Sequence, residues 1–175
     1  MILAFGDRKP VVDPSAVVFE GATVVGAVHL GARVSVWFGA IVRADVDDVF
    51  IGARSNVQDR CVIHVTTKRF STRLGDDVTV GHSVTLHGCE IGADCLIGMG
   101  ATVLNGAKIG AGSLVGAGAL VTERKAFPER SLIIGSPAKA VRTLSEDDIE
   151  KIRQSALHYV TNWRRMAQGL KRTDL

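Results

Sequence analysis

Aliphatic residues recur every six positions along most of the chain, often with a glycine directly after them and a small residue four places on. A helix cannot use this spacing, because six is not a multiple of its ~3.6 residues per turn and because an interior glycine costs ~1 kcal/mol relative to alanine. Short strands joined by turns can use it. The pattern predicts an all-β solenoid, a parallel β-helix in which three hexapeptides complete one triangular coil. The recurring positions are Val12, Val18, Val24, Leu30, Val36, Val42, Ile51, Val57, Ile63, Leu74, Val80, Leu86, Ile91, Ile97, Val103, Ile109, Val115 and Val121.

Three irregularities interrupt the repeat. The step from Val42 to Ile51 is nine residues and the step from Ile63 to Leu74 is eleven. We therefore expect about three and about five residues to leave the coil there as loops. A slip of one residue follows Leu86. Irregular positions in a strict repeat often coincide with a working surface, although plain surface insertions are equally common.

The repeat ends near residues 135–142, GSPAKAVR, because Pro137 cannot continue a strand ladder. Ser145 is a suitable helix N-cap, and Asp148 lies three residues later as a capping-box partner. The single domain of residues 1–175 is thus divided into a β-helix of about seven coils at 11–138 and a C-terminal α-helix at 145–170, packed alongside it. The apolar stripe expected to face the prism is Ile149, Ile152, Ala156, Tyr159, Val160, Trp163, Ala167 and Leu170.

The composition argues against several classes of protein. Among 175 residues, 46% are hydrophobic and 22% are charged, which excludes a disordered chain. A net charge of +3 is too small to indicate nucleic-acid binding, and no apolar run reaches the ~18 residues of a membrane span. The first residues, MILAFGDRK, lack a secretory leader, so we expect a cytoplasmic protein. Three cysteines without a Cys-x-x-Cys pair support neither disulfides nor a cysteine-based zinc site.

Three of the five histidines fall within 24 residues. His64 follows Ile63 and His87 follows Leu86, and these aliphatic residues begin the same side of the triangle in successive coils. The two imidazoles should therefore stack and point outward. His82 lies on the adjacent side, near a different corner of the prism. A threefold assembly would let His82 of the partner subunit meet the stacked pair.

Three imidazoles with a fourth, open position form the ligand set of a catalytic zinc site, and Fe²⁺ or Co²⁺ accepts the same ligands. His29 and His158 have no such neighbours and are interpreted as structural. Arg43 lies in the column of the stacked histidines, one coil below them. Its guanidinium would suit a carboxylate across a subunit interface.

The repeat resembles the left-handed hexapeptide-repeat β-helix family over residues 11–138, and the handedness is taken from that resemblance. Four stretches then resemble the γ-class carbonic anhydrase family: VRAD at 42–45, IGARSNVQDRCVIHV at 51–65, VGHSVTLHGCEIG at 80–92 and GSPAKAVR at 135–142. The resemblance implies a zinc-dependent lyase that hydrates carbon dioxide reversibly to bicarbonate with a metal-bound hydroxide. It also implies a homotrimer with metal sites at the subunit interfaces.

The resemblance carries over residue by residue. It implies metal ligation by His64, His82 and His87, the second of these from the partner subunit. Asn56 also falls on the family motif. The catalytic residues that it implies are Gln58 near the metal-bound solvent, the ion-pair residues Arg43, Asp45 and Asp59, and Tyr159. The ion-pair residues can equally serve only to stabilise the trimer, and Tyr159 can equally serve only to pack the helix.

Two departures from the family pattern concern proton transfer. Active members resemble one another in having a glutamate directly after the Arg-Ala-Asp segment and another in an acidic loop. Here Val46 occupies the first place, and the loop after His64 reads VTTKRFSTR, without a carboxylate. We therefore expect weak activity or another proton route. Two alternatives stay open: an acyltransferase that uses coenzyme A thioesters, and a metal-containing assembly protein without turnover.

Overall fold

The computed structural model describes residues 1–171 and 173. Short strands follow one another around a triangular prism, and one helix lies against its side. The strands are β1 (Ile2–Leu3), β2 (Val11–Val12), β3 (Val17–Val18), β4 (Thr23–Leu30), β5 (Ser35–Val36), β6 (Ile41–Ile51), β7 (Asn56–Val57), β8 (Val62–His64), β9 (Thr72–Leu74), β10 (Thr79–Val80), β11 (Thr85–His87), β12 (Glu90–Ile91), β13 (Leu96–Ile97), β14 (Thr102–Val103), β15 (Lys108–Ile109), β16 (Leu114–Val115), β17 (Leu120–Val121), β18 (Ala126–Phe127), β19 (Ser131–Gly135) and β20 (Ala138–Thr143), and the helix is α1 (Glu146–Gly169).

The strands stack into three ladders, one on each face of the prism. On the first face β1, β4, β6, β8, β11, β14 and β17 pair in that order. The second face continues from the far ends of β4 and β6 to β9, β12, β15 and β18, with β2 at its start. The third face holds β3, β5, β7, β10, β13, β16 and β19. These pairs are parallel, as the repeat predicts, and the chain is a β-solenoid of about seven coils that matches the hexapeptide-repeat left-handed β-helix expected from the resemblance.

The recurring aliphatic residues form the core because they point inward from every strand. On the first face each member of one column is 0% exposed. Burial of such a side chain contributes about 1.5–3 kcal/mol, so the column stabilises the stack and fixes its register together. The cysteines Cys61, Cys89 and Cys95 lie in the same core, and burial raises the pKa of Cys61 to about 11. The column consists of Val24, Val42, Ile63, Leu86, Val103 and Val121.

The two long steps in the repeat have different structures. The expectation of a loop after Val42 is wrong. These residues belong to the continuous strand β6, which passes from the first face to the second. Its extra residues shift the register against β4 between Gly26 and Val28. The sequence count could not distinguish these cases, because a bulged strand and a loop add the same number of residues. The second step does form a loop, which the bridge between Thr66 and Phe70 closes beside the first face.

The prism ends in a reversal of chain direction. A cis peptide bond joins Ser136 to Pro137, and β20 returns antiparallel to β19. An antiparallel strand cannot begin another coil of the parallel stack. The repeat therefore stops here, as the proline predicts.

The helix α1 begins with the predicted capping box. The Ser145 hydroxyl accepts a hydrogen bond from the Asp148 amide at 3.2 Å, and the Ser145 amide donates to the Asp148 carboxylate at 3.0 Å. The helix contacts β5, β7 and β10 of the third face. Its buried residues are Ile149, Ile152, Ala156 and Val160.

The predicted apolar stripe is only partly packed. Ala167 is exposed, and Leu170 is 52% exposed, so the last turn of the helix is less buried than the stripe predicts. A stripe on a helix specifies a face but not how far the partner surface extends. Within residues 1–171 and 173, no helix combines the length and apolar character that a membrane span requires.

The capping box supplies a test of helix docking. Ser145→Ala removes the acceptor of the Asp148 amide, and we expect a loss of about 1 kcal/mol in the free energy of unfolding. Urea unfolding followed by circular dichroism measures the change. The matched control Ser155→Ala lies inside the helix, where alanine has the better propensity, and should not destabilise. Equal midpoints for Ser145→Ala and the parent protein would contradict the capping role.

Candidate metal centre

Two of the three predicted ligands lie side by side on the first face. β8 and β11 pair with Leu86 opposite Ile63 and His87 opposite His64. Both imidazoles point outward from their strands, as the repeat predicts, because the residue before each is buried in the core. The Nδ1 atom of His64 lies 3.0 Å from Nε2 of His87, and the ring planes are inclined at 69°. The strand register alone thus brings two imidazole nitrogens together.

The far nitrogen of His64 is held by a carboxylate. Its Nε2 lies 3.0 Å from Oδ1 of Asp45, and the same carboxylate accepts a hydrogen bond from Arg43. Burial alone would raise the pKa of Asp45, but the hydrogen bonds from His64 and Arg43 outweigh it and hold that pKa below its usual value. Within one chain, Arg43 therefore pairs with Asp45, whereas the sequence suggested a carboxylate across an interface.

The environment of His64 favours its neutral form. Burial lowers the pKa of His64, and the positive charge of Arg43 acts in the same direction, while the hydrogen bond to Asp45 opposes them. The net direction is downward. A neutral imidazole is the form that binds a metal ion.

The far nitrogen of His87 is held by an amide that the sequence analysis missed. Nδ1 of His87 lies 2.8 Å from Oδ1 of Asn105, and the Thr66 hydroxyl donates to the same oxygen at 2.9 Å. The Asn105 amide nitrogen donates to Glu123 at 3.2 Å. The only sequence signal for Asn105 is its register: it follows Val103 by two residues, as Gly88 follows Leu86 in the coil before.

His82 occupies the turn after β10 and lies apart from this pair. Its Nδ1 lies 2.8 Å from Oδ2 of Asp59, and its side chain is 42% exposed. No group of three His, Cys, Asp or Glu side chains within the described part of one chain is placed to hold an ion. A single chain thus brings together His64 and His87 and leaves His82 on another part of the prism.

Gln58 and Asn56 form a buried polar row on the third face. The Gln58 side-chain amide donates to the side-chain oxygen Oδ1 of Asn56 at 3.1 Å, and the Asn56 side-chain amide donates to the Thr79 hydroxyl at 3.0 Å. Gln58 and His82 line the same cavity of about 300 Å³ between the prism and α1. Other wall residues are Leu96, Ile97, Met99, Ser155 and Tyr159.

Tyr159 both packs the helix and lines this cavity. Its ring meets Trp37 edge to face, with centroids 5.5 Å apart. Burial raises the pKa of Tyr159, and the negative charge of Asp59 adds to the shift. The packing interpretation of Tyr159 is therefore confirmed, and its catalytic role stays a prediction that its place at the cavity wall permits.

The paired histidines fit a divalent cation on the chemistry of their donors. His64 Nε2 faces a carboxylate and His87 Nδ1 faces an amide oxygen, and these acceptors suit the tautomers in which each of these nitrogens carries the ring proton. The two nitrogens that face each other then both present lone pairs, 3.0 Å apart. A tetrahedral ion with Zn–N bonds of ~2.0–2.1 Å requires a separation of ~3.3 Å. Second acceptors on both rings are also typical of histidines that bind metals.

Comparison with known proteins defines the class of fold first. The family model described as "Bacterial transferase hexapeptide (six repeats)" matches residues 71–105 and 88–123. The solved structure of a hexapeptide transferase family protein from Anaplasma phagocytophilum superimposes with a TM-score of 0.89 at 34% identity, over 93% of this chain and 96% of that one. The protein is therefore a hexapeptide-repeat protein.

The sequence relatives define the family within this class. A relative from Methanocaldococcus jannaschii named "Probable carbonic anhydrase" is 51% identical over 141 residues, covering 81% of this chain and 88% of the relative. "Gamma carbonic anhydrase 1, mitochondrial" of Arabidopsis thaliana is 40% identical over 158 residues, covering 87% of this chain and 58% of the plant protein. The chain belongs to the γ-class carbonic anhydrase-like family of hexapeptide-repeat proteins.

The contact between Asp45 and His64 can be tested in the metal-free protein. Asp45→Asn removes the negative charge that stabilises the protonated imidazole, while Arg43 keeps its positive charge nearby. We expect the pKa of His64 to fall further, so that the neutral ring persists to lower pH. An NMR titration of the histidine ring protons measures this shift. Asp47→Asn changes another carboxylate of β6 and should leave His64 unaffected, whereas a rise after Asp45→Asn would contradict the contact.

Proposed function

We propose that the protein is a γ-carbonic anhydrase-like metalloenzyme that interconverts carbon dioxide and bicarbonate. The observation that carries this proposal is the pair His64 and His87, whose outer nitrogens are occupied by acceptors and whose inner nitrogens converge. The names of the relatives support the same reaction. The cytoplasmic location expected from the sequence stays a prediction.

The proposed metal site lies between subunits of a homotrimer. His64 and His87 of one subunit and His82 of the partner subunit would hold the ion and leave a fourth position open. The separation of His82 from the pair within one chain supports this arrangement, as does its exposed side chain. The hydrogen bond to Asp59 occupies Nδ1 of His82 and leaves Nε2 for the ion.

His64, His87 and the partner's His82 would hold a divalent cation such as Zn²⁺, which would supply a water of lowered pKa, and so a nucleophile, at neutral pH. The chain's own residues hold and orient the reactants. Asp45 and Asp59 fix the rings of His64 and His82 through their second nitrogens. Gln58 offers a hydrogen-bonding side chain at the cavity wall. Leu96, Ile97 and Met99 give the same cavity an apolar wall that suits carbon dioxide.

Proton removal limits the proposed reaction. Val46 packs against the core where other family members carry a glutamate. The loop closed by Thr66 and Phe70 brings Lys68 and Arg69 but no carboxylate. Neither place can accept a proton from the site at neutral pH. We therefore propose slow turnover, with buffer as the main proton acceptor.

The first test is metal-dependent hydration. Zinc-loaded protein should accelerate carbon dioxide hydration in a stopped-flow assay, in proportion to bound zinc and with a rate that rises with buffer concentration. His87→Ala removes a ligand and should lose both zinc and activity, while the trimer persists because the core does not use this side chain. His158→Ala, an exposed histidine of α1, is the matched control. Stoichiometric zinc in His87→Ala would contradict the site.

The same assay separates the alternatives. Turnover of acetyl-coenzyme A that survives chelation of metal would favour an acyltransferase, the activity that the hexapeptide transferase likeness suggests. Bound zinc with neither activity would favour a metal-containing assembly protein.

The second test concerns the shared site. His82→Ala subunits keep the His64–His87 pair, and His87→Ala subunits keep His82. Neither homotrimer should bind zinc, but each mixed trimer should recover zinc and activity at one of its three interfaces, which is about one quarter of all interfaces after random assortment of equal amounts of the two variants around a cyclic trimer. Zinc content per subunit after co-refolding measures the recovery. If all three imidazoles belonged to one chain, mixing would restore nothing.

A further inference from the structure

We infer that Asn105 and Glu123 are positioning residues for His87: their hydrogen bonds determine which ring nitrogen carries the proton and so direct the other nitrogen towards His64. This inference rests on the proposed function, because orienting the His87 ring matters for catalysis only if that ring binds the metal ion. The contacts themselves belong to one chain. Their test therefore has a readout that needs no metal.

The orientation of the Asn105 amide follows from its partners. Glu123 lies 3.2 Å from the amide nitrogen and, as a carboxylate, can only accept a hydrogen bond. The amide oxygen therefore faces the other way, towards Nδ1 of His87 at 2.8 Å and the Thr66 hydroxyl at 2.9 Å. An oxygen acceptor requires the proton of His87 on Nδ1. Nε2 is then unprotonated and lies 3.0 Å from Nδ1 of His64.

The approach of Asn105 to His87 depends on a glycine. Gly88 follows His87 with a φ of +59°, and a Cβ atom there would lie 2.5 Å from the Asn105 side-chain oxygen and 2.6 Å from Cβ of Phe70. Real Cβ atoms do not come so close to either atom. Any side chain at this position would displace the amide or the loop that carries Phe70. The fold thus leaves space for this contact.

The amide also differs from the acceptors of the other two histidines in charge. Asp45 and Asp59 are carboxylates, and each places a negative charge beside an imidazole, although Arg43 offsets the charge of Asp45. Asn105 is neutral. Its contribution is therefore to orient the ring rather than to add negative charge to the site.

A purely structural role for Asn105 is the competing explanation, since Thr66 ties the loop to the same oxygen. Two variants separate the roles. Thr66→Val removes the bond to the loop and keeps the bond to His87. Asn105→Leu removes both, and Asn105→Asp keeps an acceptor in the same place.

The experiment uses nitrogen-15 NMR of the metal-free protein at a pH where histidine is neutral, because long-range correlations distinguish the two ring tautomers. We expect the His87 proton on Nδ1 in the parent protein, Thr66→Val and Asn105→Asp. In Asn105→Leu the proton should move mainly to Nε2. Glu123→Ala should show the same shift to a smaller extent, since the amide is free to rotate, whereas Glu123→Gln keeps an acceptor.

Zinc affinity provides the second readout. Competition with a chelator should show a dissociation constant about 10- to 100-fold higher for Asn105→Leu, with Asn105→Asp near the parent value. Thermal unfolding should change equally little in both. A His87 proton on Nε2 in the parent protein would overturn the inference without any variant, and so would unchanged tautomer and affinity in Asn105→Leu. A parent protein that binds no zinc but keeps the proton on Nδ1 would contradict the metal site and support the positioning contact.

Discussion

The parallel register between successive coils is the constraint on which the site depends. Ile63 and Leu86 are buried opposite each other, and this pairing leaves no freedom in where the next residues lie. A slip of one residue would turn His64 inward and place an aliphatic side chain on the surface. Since a buried aliphatic side chain contributes about 1.5–3 kcal/mol, such a slip is strongly disfavoured. The free energy of core packing therefore also fixes the positions of the two imidazoles.

Register brings the rings together, but hydrogen bonds decide what the pair can do. Two stacked histidines with free outer nitrogens would share a proton and form an ordinary hydrogen bond. Here Asp45 and Asn105 accept hydrogen bonds from the outer nitrogens, and the inner nitrogens are left unprotonated, with lone pairs that can bind a cation. The loop between Thr66 and Phe70 takes part in this arrangement, because it holds the Asn105 oxygen and covers Gly88. An insertion in the repeat thus supports the side chains that the repeat positions.

The sequence predicted the features that follow from the repeat spacing, and it missed the contacts that depend on side-chain orientation. Hexapeptide spacing predicted the solenoid and the stacking of His64 on His87, because a strict repeat fixes backbone positions. It did not reveal Asn105, because asparagine is ordinary at a turn and its partner is set by side-chain orientation. It also counted the residues after Val42 as a loop, although β6 absorbs them without leaving the sheet. The exposed end of α1 was missed for a similar reason, since periodicity gives a face and not a length.

Without a metal ion, the inner nitrogens of His64 and His87 repel each other. The surroundings of His64 limit how readily a proton takes the place of the metal. Two lone pairs that face each other repel, and a proton placed between them would relieve this repulsion as well as a metal ion does. Protons and metal ions therefore compete for the same nitrogens. Burial and the charge of Arg43 lower the pKa of His64, which weakens the proton as a competitor. Asp45 pulls the other way, but it also anchors the ring, so its carboxylate fixes geometry at some expense of selectivity against protons. The net downward direction shows that burial prevails, and burial of this ring follows from the same stacking of coils that positions it.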